Sequence, residues 1–205
     1  MIGALLSNLR NTLIVSVLLA LVMIFAFGSA HGFDAQFGQA VLRWMHVFFG
    51  ILWIGLLYYF NFVQLRKMPE IPAELKPAVS KYIAPEALFW FRWAALFTVL
   101  VGLLLAFARG MPYVTEVFTF GLAGGYTAAD KGFTLMGVGI YLALIMFINV
   151  WGVIWPNQKV ALGIVEGDAD AKAKAARTAM LFSRINTLLS LPMLTSMAMF
   201  QSLFG

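Results

Sequence analysis

The chain has no cysteine and only two histidines, and charged residues make up 11% of its 205 positions. Without cysteine there is no disulfide, no thiolate metal site and no C-x-x-C-H sequence to attach a c-type haem. The redox state of the compartment is therefore not written in the sequence. With His31 and His46 as the only imidazoles, any histidine-ligated metal or haem is confined to those two positions. The scarcity of charge excludes more. A soluble domain carries ~25% charged and ~45–50% apolar residues, whereas 62% of this chain is hydrophobic. Too little polar surface remains to cover a water-facing globule, which sets aside a soluble enzyme, a disordered chain and a nucleic-acid binder. The net charge of +5 then reports membrane orientation and not a nucleic-acid partner.

What is abundant is uninterrupted apolar sequence. Five stretches, near 12–30, 40–64, 88–108, 133–155 and 180–203, are each long enough to cross a ~30 Å hydrocarbon core as a helix of about 20 residues. Helices are required because the bilayer interior offers no water to open backbone groups. The expected fold class is all-α, a polytopic membrane helix bundle of about five transmembrane helices in a single integral membrane domain over 1–205. Arg10, the apolar run after it and Gly28-Ser29-Ala30 also fit a signal peptide with a small-x-small cleavage site. The segment is read here as a retained signal-anchor span.

The connections set the orientation. Residues 65–87 hold four of the seven prolines and several charges, so they lie outside the bilayer. Residues 156–179 are polar, and their second half reads as a helix running into the fifth span. There Asp168 and Asp170 precede Lys172 and Lys174 by four residues, the favourable order for i,i+4 ion pairs. Connections near 31–39 and 109–132 are poor in charge. Eleven Lys and Arg residues fall on the side of the N-terminus and three (Arg43, Arg109, Lys131) on the other. The positive-inside rule places the N-terminus in the cytoplasm and Gly205 outside.

Polar residues inside spans are costly in lipid and are functional candidates by default. In the second span His46, Gly50, Trp53, Leu57 and Asn61 follow at intervals of four, three, four and four, which is one helical face. His46 lies about two turns below the outer boundary, roughly 9 Å at ~1.5 Å per residue, where an imidazole needs a partner. A b-type haem is one such partner, with His46 as the metal ligand. Gly50 would remove a side chain that blocks a flat macrocycle, and Trp53 would pack on the ring. His31 would serve as a second ligand, although it lies nearer the surface. Arg43 and Arg109 would pair with propionates. The alternative for His46 is an interhelical hydrogen bond, with Gly50 and Gly55 permitting close helix packing. Asn61, Asn149, Asn186, Thr187, Ser190, Thr195 and Ser196 would line a ligand path or hold helices together. Arg92 and Arg184 snorkel, and Tyr82, Trp90, Trp93, Trp151 and Trp155 form an interfacial belt. No acidic residue lies inside a span, which argues against a proton pump or ion-coupled transporter. The Gly-rich pieces (121–125 and 132–139) do not follow strands and are not nucleotide loops.

Four ordered blocks carry a resemblance: W-M-H-V-F-F-G-I-L-W-I-G-L-L-Y-Y-F-N-F-V-Q (44–64), A-P-E-A-L-F-W-F-R-W (84–93), N-V-W-G-V-I-W-P-N-Q-K (149–159) and L-F-S-R-I-N-T-L-L-S-L-P-M-L (181–194). Together they resemble the membrane domain at the N-terminus of bacterial membrane-bound urate oxidases (urate hydroxylases). The resemblance implies a bacterial inner-membrane protein and urate oxidation with electrons passed to a cytochrome c domain. This chain ends soon after its last apolar stretch and lacks cysteine, so it is similar to the short standalone members of that family. The pattern H-x3-G-x2-W-x-G-x2-Y over 46–58 also resembles small haem-binding membrane proteins of the protoporphyrinogen-oxidase type. The expected function is a haem b redox or electron-transfer module working with a separate cytochrome. The alternative is a non-catalytic accessory subunit packed against a larger respiratory or photosynthetic complex. No constellation of bases around a polar pocket supports urate oxidation by this chain alone, so whether it is an enzyme stays open.

Overall fold

The computed structural model describes residues 2–124 and 131–204. Part of the connection expected over 109–132, including Gly125, lies outside the described residues, as does Gly205. All regular structure among the described residues is helical. After a short turn at Ile2–Leu6 come α1 (Leu9–His31), α2 (Ala35–Tyr58), α3 (Ala84–Ala108), α4 (Met111–Phe118), α5 (Lys131–Ile148) and α6 (Ala169–Leu203). Four stretches, Leu9–His31, Ala35–Glu70, Lys76–Ala108 and Lys131–Ala161, are long and apolar enough to cross a membrane. The protein is therefore a helical membrane protein whose outer faces meet lipid. The predicted fifth span, 180–203, lies within α6, which runs for 35 residues without interruption. It is more polar than the other four because its inward face carries Ser183, Asn186, Ser190 and Ser196, all buried.

Local chemistry explains where the helices begin. Asn8, Asp34 and Asp168 cap α1, α2 and α6, each accepting a hydrogen bond from the backbone N–H three residues on, at 3.3, 2.8 and 2.7 Å. Asp168 is thus a helix cap, and no carboxylate lies within 4 Å of Lys172 or Lys174 among the described residues. The i,i+4 pairs expected there do not form; for Asp168 the reason is that capping a free N–H fixes the carboxylate away from Lys172. Gly32, with φ +105°, closes α1 and turns the chain into α2. At this corner Gly28 packs on Phe33 and Phe37, whose Cζ would lie 2.8 Å from a Cβ at position 28. Gly28 is the one residue of α1 that is buried.

Among the described residues three wide turns interrupt the spans. Leu65 N–H donates to Phe60 O, Ala84 N–H to Val79 O and Trp155 N–H to Val150 O, the five-residue spacing of a π turn. Two of them, Val79–Ile83 and Asn149–Ile154, stop one residue short of Pro85 and Pro156. A proline ring clashes with the carbonyl four residues back, and widening the turn relieves that contact. At the third, Tyr59–Gln64, Asn61 Nδ2 donates both to Leu57 O (2.9 Å) and across to Ser183 Oγ on α6 (2.8 Å).

The bundle consists of two antiparallel pairs, α2 with α3 and α5 with α6. Their shared core holds Trp53, Leu57, Phe91, Met146, Val150 and Ile154, each at most 1% exposed. Gly139 lets Ser196 reach the α5 backbone, where its hydroxyl donates to Leu135 O. A polar seam runs up the inner face of α6. Asn149 Nδ2 donates to Asn186 Oδ1 (2.9 Å) and Asn186 Nδ2 to Met146 O (2.9 Å). Ser190 Oγ donates to Thr187 O (2.7 Å), so Tyr58 O–H is the donor in its 2.9 Å contact with Ser190 Oγ. These side chains hold helices to each other, at about 0.6–2 kcal/mol per bond in a membrane.

Candidate functional site

Where α2, α3, α5 and α6 converge at the end of the bundle nearest α4, they enclose a cavity of about 490 Å³. That lies within the ~300–1,000 Å³ of ordinary small-molecule sites. Its walls are apolar, with Val99, Leu103, Ile140, Leu144 and Leu194 among them. Polar atoms enter from few places: His46 and Arg43 on α2, Thr98 and Arg109 on or at the end of α3, Tyr113 on α4, and Gln201 and Ser202 on α6.

The position of His46 depends on α3. Nδ1 of His46 lies 2.8 Å from Thr98 O, and a carbonyl accepts only from a protonated nitrogen, so Nδ1 carries the proton. Nε2 is left with its lone pair and makes no hydrogen bond among the described residues. Thr98 O is reachable because the residue four positions on, which would lean back over that carbonyl, is Gly102. A Cβ there would fall 2.8 Å from His46 Cε1 and 2.9 Å from Nδ1. Thr98 turns its own hydroxyl away, onto Ala94 O at 2.7 Å.

The mouth of the cavity is cationic. Arg109 Cζ stands 4.8 Å over the Tyr113 ring and 5.7 Å from that of Phe200. Neither Arg109 nor Arg43 has a carboxylate within 4 Å among the described residues. Burial pushes the Tyr113 phenol above its ordinary pKa, while the guanidinium of Arg109 and the charge of Arg43 act the other way. Gln39 Nε2 donates to Ala108 O at 3.1 Å and ties α2 to α3 beside this opening.

Of the residues singled out from the sequence, the cavity brings together Arg43, His46 and Arg109. Trp53 does not join them: it is fully buried in the core, with Nε1 unpartnered. Gly50 is not on the cavity wall, and a Cβ there would meet only Thr98 Cγ2 at 3.8 Å. His31 stands apart as well, exposed at the end of α1 and 3.8 Å from Asp34. Sequence reasoning missed Thr98, Gly102, Tyr113 and the two thioethers on the wall, Met136 and Met197. A signal for the first two was present, since Ala94, Thr98, Gly102 and Ala106 recur every four residues on α3.

Among the described residues no three His, Asp or Glu side chains gather as a protein-only metal site would need. A haem brings four nitrogen donors of its own and asks the protein for one or two axial ligands, an apolar slot and cations for its propionates. His46 Nε2, the apolar walls and two arginines without a carboxylate partner among the described residues fit those demands, and Met136 and Met197 add two thioethers to the wall. Comparison with family models, with curated proteins and with solved structures gives no match for this chain.

Proposed function

We propose that the chain is a b-haem-binding redox module of a bacterial inner membrane, with its N-terminus in the cytoplasm, passing electrons to or from a separate cytochrome. The observation that carries this reading is the His46 imidazole, whose Nδ1–H is fixed on Thr98 O so that Nε2 stands unbonded at an apolar cavity. Such a backbone partner sets the tautomer and ring orientation that axial ligation requires. His46 would hold the iron, Arg43 and Arg109 would take the propionates, and the apolar walls would exclude water. The haem when bound supplies the one-electron chemistry. The resemblance of the four sequence blocks to the membrane domain of urate oxidases supports the redox assignment, and under it a separate cytochrome would exchange the electrons. His31 is not proposed as an axial ligand, given its pairing with Asp34 outside the cavity.

The test is an absorption spectrum of the gently solubilised protein. A Soret band and a positive pyridine haemochrome are expected in the wild type, and both should be lost in His46→Ala. A colourless wild-type protein from haem-replete cells sinks the reading, and full haem occupancy in His46→Ala sinks the ligand assignment.

A second reading has its own observation. Helix α1 crosses the membrane with Gly28 as its one buried residue, which leaves its apolar sides to lipid or to a partner. An accessory subunit of a larger respiratory or photosynthetic complex would use such a helix. Co-migration with a large complex on a native gel favours this reading, and a small monodisperse particle counts against it.

A further inference from the structure

At the end of the bundle opposite the cavity, the cleft between α3 and the continuation of α5 holds two cations on one indole. The Arg92 guanidinium lies flat on Trp155 at 3.4 Å from the ring centroid, and Lys159 Nζ stands 5.8 Å from the same centroid. No carboxylate lies within 4 Å of either among the described residues. The nearest acid along α3, Glu86, is engaged by Trp90 Nε1 at 2.9 Å. Arg92 is half-buried and lies four residues into the apolar stretch that begins near 88, about 6 Å at ~1.5 Å per residue, within reach of the headgroup layer. Stacking on Trp155 satisfies the face of the guanidinium and leaves its N–H edge needing an acceptor.

Apolar surface adjoins these cations. Trp93 packs edge-to-face on Trp151 at 5.7 Å and lies 6.2 Å from Phe97 one turn further into the span, and both Trp93 (38%) and Phe97 (40%) are exposed on the lipid side. We infer that this cleft binds one anionic phospholipid, its phosphodiester held between Arg92 and Lys159 and its acyl chain laid along the Trp93–Phe97 ledge. A planar guanidinium offers a phosphate two parallel N–H donors, the ammonium adds a second charge, and basic pockets between spans recruit lipid headgroups in this way. The partner is amphipathic because the cations and the ledge are contiguous, which a free phosphate would not use. This inference does not depend on the haem reading.

Native mass spectrometry of the purified protein, equilibrated with phosphatidylglycerol or with phosphatidylcholine of matched chains, tests it. The wild type should retain phosphatidylglycerol in preference, and Arg92→Gln and Lys159→Gln should each lower that retention about fivefold, the weight of one cation near a headgroup. Phosphatidylcholine retention should not change, and Arg92→Lys, which keeps the charge but loses the planar pair of donors, should fall between wild type and Arg92→Gln. Equal retention of the two lipids by the wild type overturns the inference, and that comparison stands even where a Gln variant fails to fold. Unchanged retention in both Gln variants also overturns it. Displacement of the lipid by millimolar inorganic phosphate would assign the cations to a soluble anion and overturn the lipid assignment.

Discussion

The imidazole of His46 on α2 occupies the space that a side chain at Gly102 on α3 would fill, 2.8 Å from the missing Cβ. One absent methyl group thus permits both the hydrogen bond to Thr98 O and the opening of Nε2 to the cavity. Gly102→Ala should push the ring off Thr98 O, with a loss of about 0.5–1.5 kcal/mol for the broken bond and a shifted or weakened Soret band. Gly50→Ala, whose Cβ would meet only Thr98 Cγ2 at 3.8 Å, should stay within about 0.5 kcal/mol of wild type. Thermal melts and spectra of the two variants check this contrast, and identical behaviour would refute it.

Arg43 and Arg109 carry charge at the cavity mouth without acidic partners among the described residues. Arg43→Gln and Arg109→Gln should each weaken retention of a dianionic ligand by about tenfold, the weight of one charge-assisted hydrogen bond, while leaving the fold intact. Haem-dissociation rates measured with an apo-globin acceptor report the effect. Unaltered rates in both variants would separate the arginines from the site.

The Asn149–Asn186 bond is buried and shared with Met146 O. Asn186→Ala should cost about 1–2 kcal/mol, since it strands a donor on Asn149 and an acceptor at Met146. A double-mutant cycle with Asn149→Ala should return a coupling near 1 kcal/mol. Additive losses would mean that the two side chains act separately.

The phenol of Tyr113 is raised above its ordinary pKa chiefly by burial. A group held protonated more tightly in the folded state than in the unfolded chain favours folding below its unfolded pKa of about 10. That contribution is lost as pH rises through the higher folded value. Melting temperature should therefore fall above about pH 10 in the wild type, and fall less steeply in Tyr113→Phe. Parallel alkaline profiles for the two proteins would contradict the assignment.

The helices were legible because length and apolarity alone decide which segments cross a bilayer. The stretches expected near 12–30, 40–64, 88–108 and 133–155 fall within Leu9–His31, Ala35–Glu70, Lys76–Ala108 and Lys131–Ala161. Periodicity also found the inward face of α2, where Trp53 and Leu57 are fully buried and Asn61 reaches Ser183. It could not say which neighbour that face meets. A spacing pattern carries no information about α3, so Gly50, on the same helix as His46, was credited with the room that Gly102 provides. In the sequence His31 and His46 share the outer side of the membrane and are the only two imidazoles, yet lying on one side of a bilayer does not bring two residues together. The turn at Gly32 leaves His31 beside Asp34.

Each wide turn carries one residue more than an α-helical turn, so it offsets the angular phase of the helix by about 100°. The two ends of a span that contains one are therefore set in separate frames. In the span that opens with α2 the turn at Tyr59–Gln64 separates His46 from Lys67, and in the span that opens with α5 the turn at Asn149–Ile154 separates Met136 from Lys159. Deleting a single residue within such a turn would spin the charged end against the apolar one while sparing the cavity wall. The cavity end and the Arg92–Lys159 end of this protein are consequently free to diverge, each able to change its inward residues without re-registering the other.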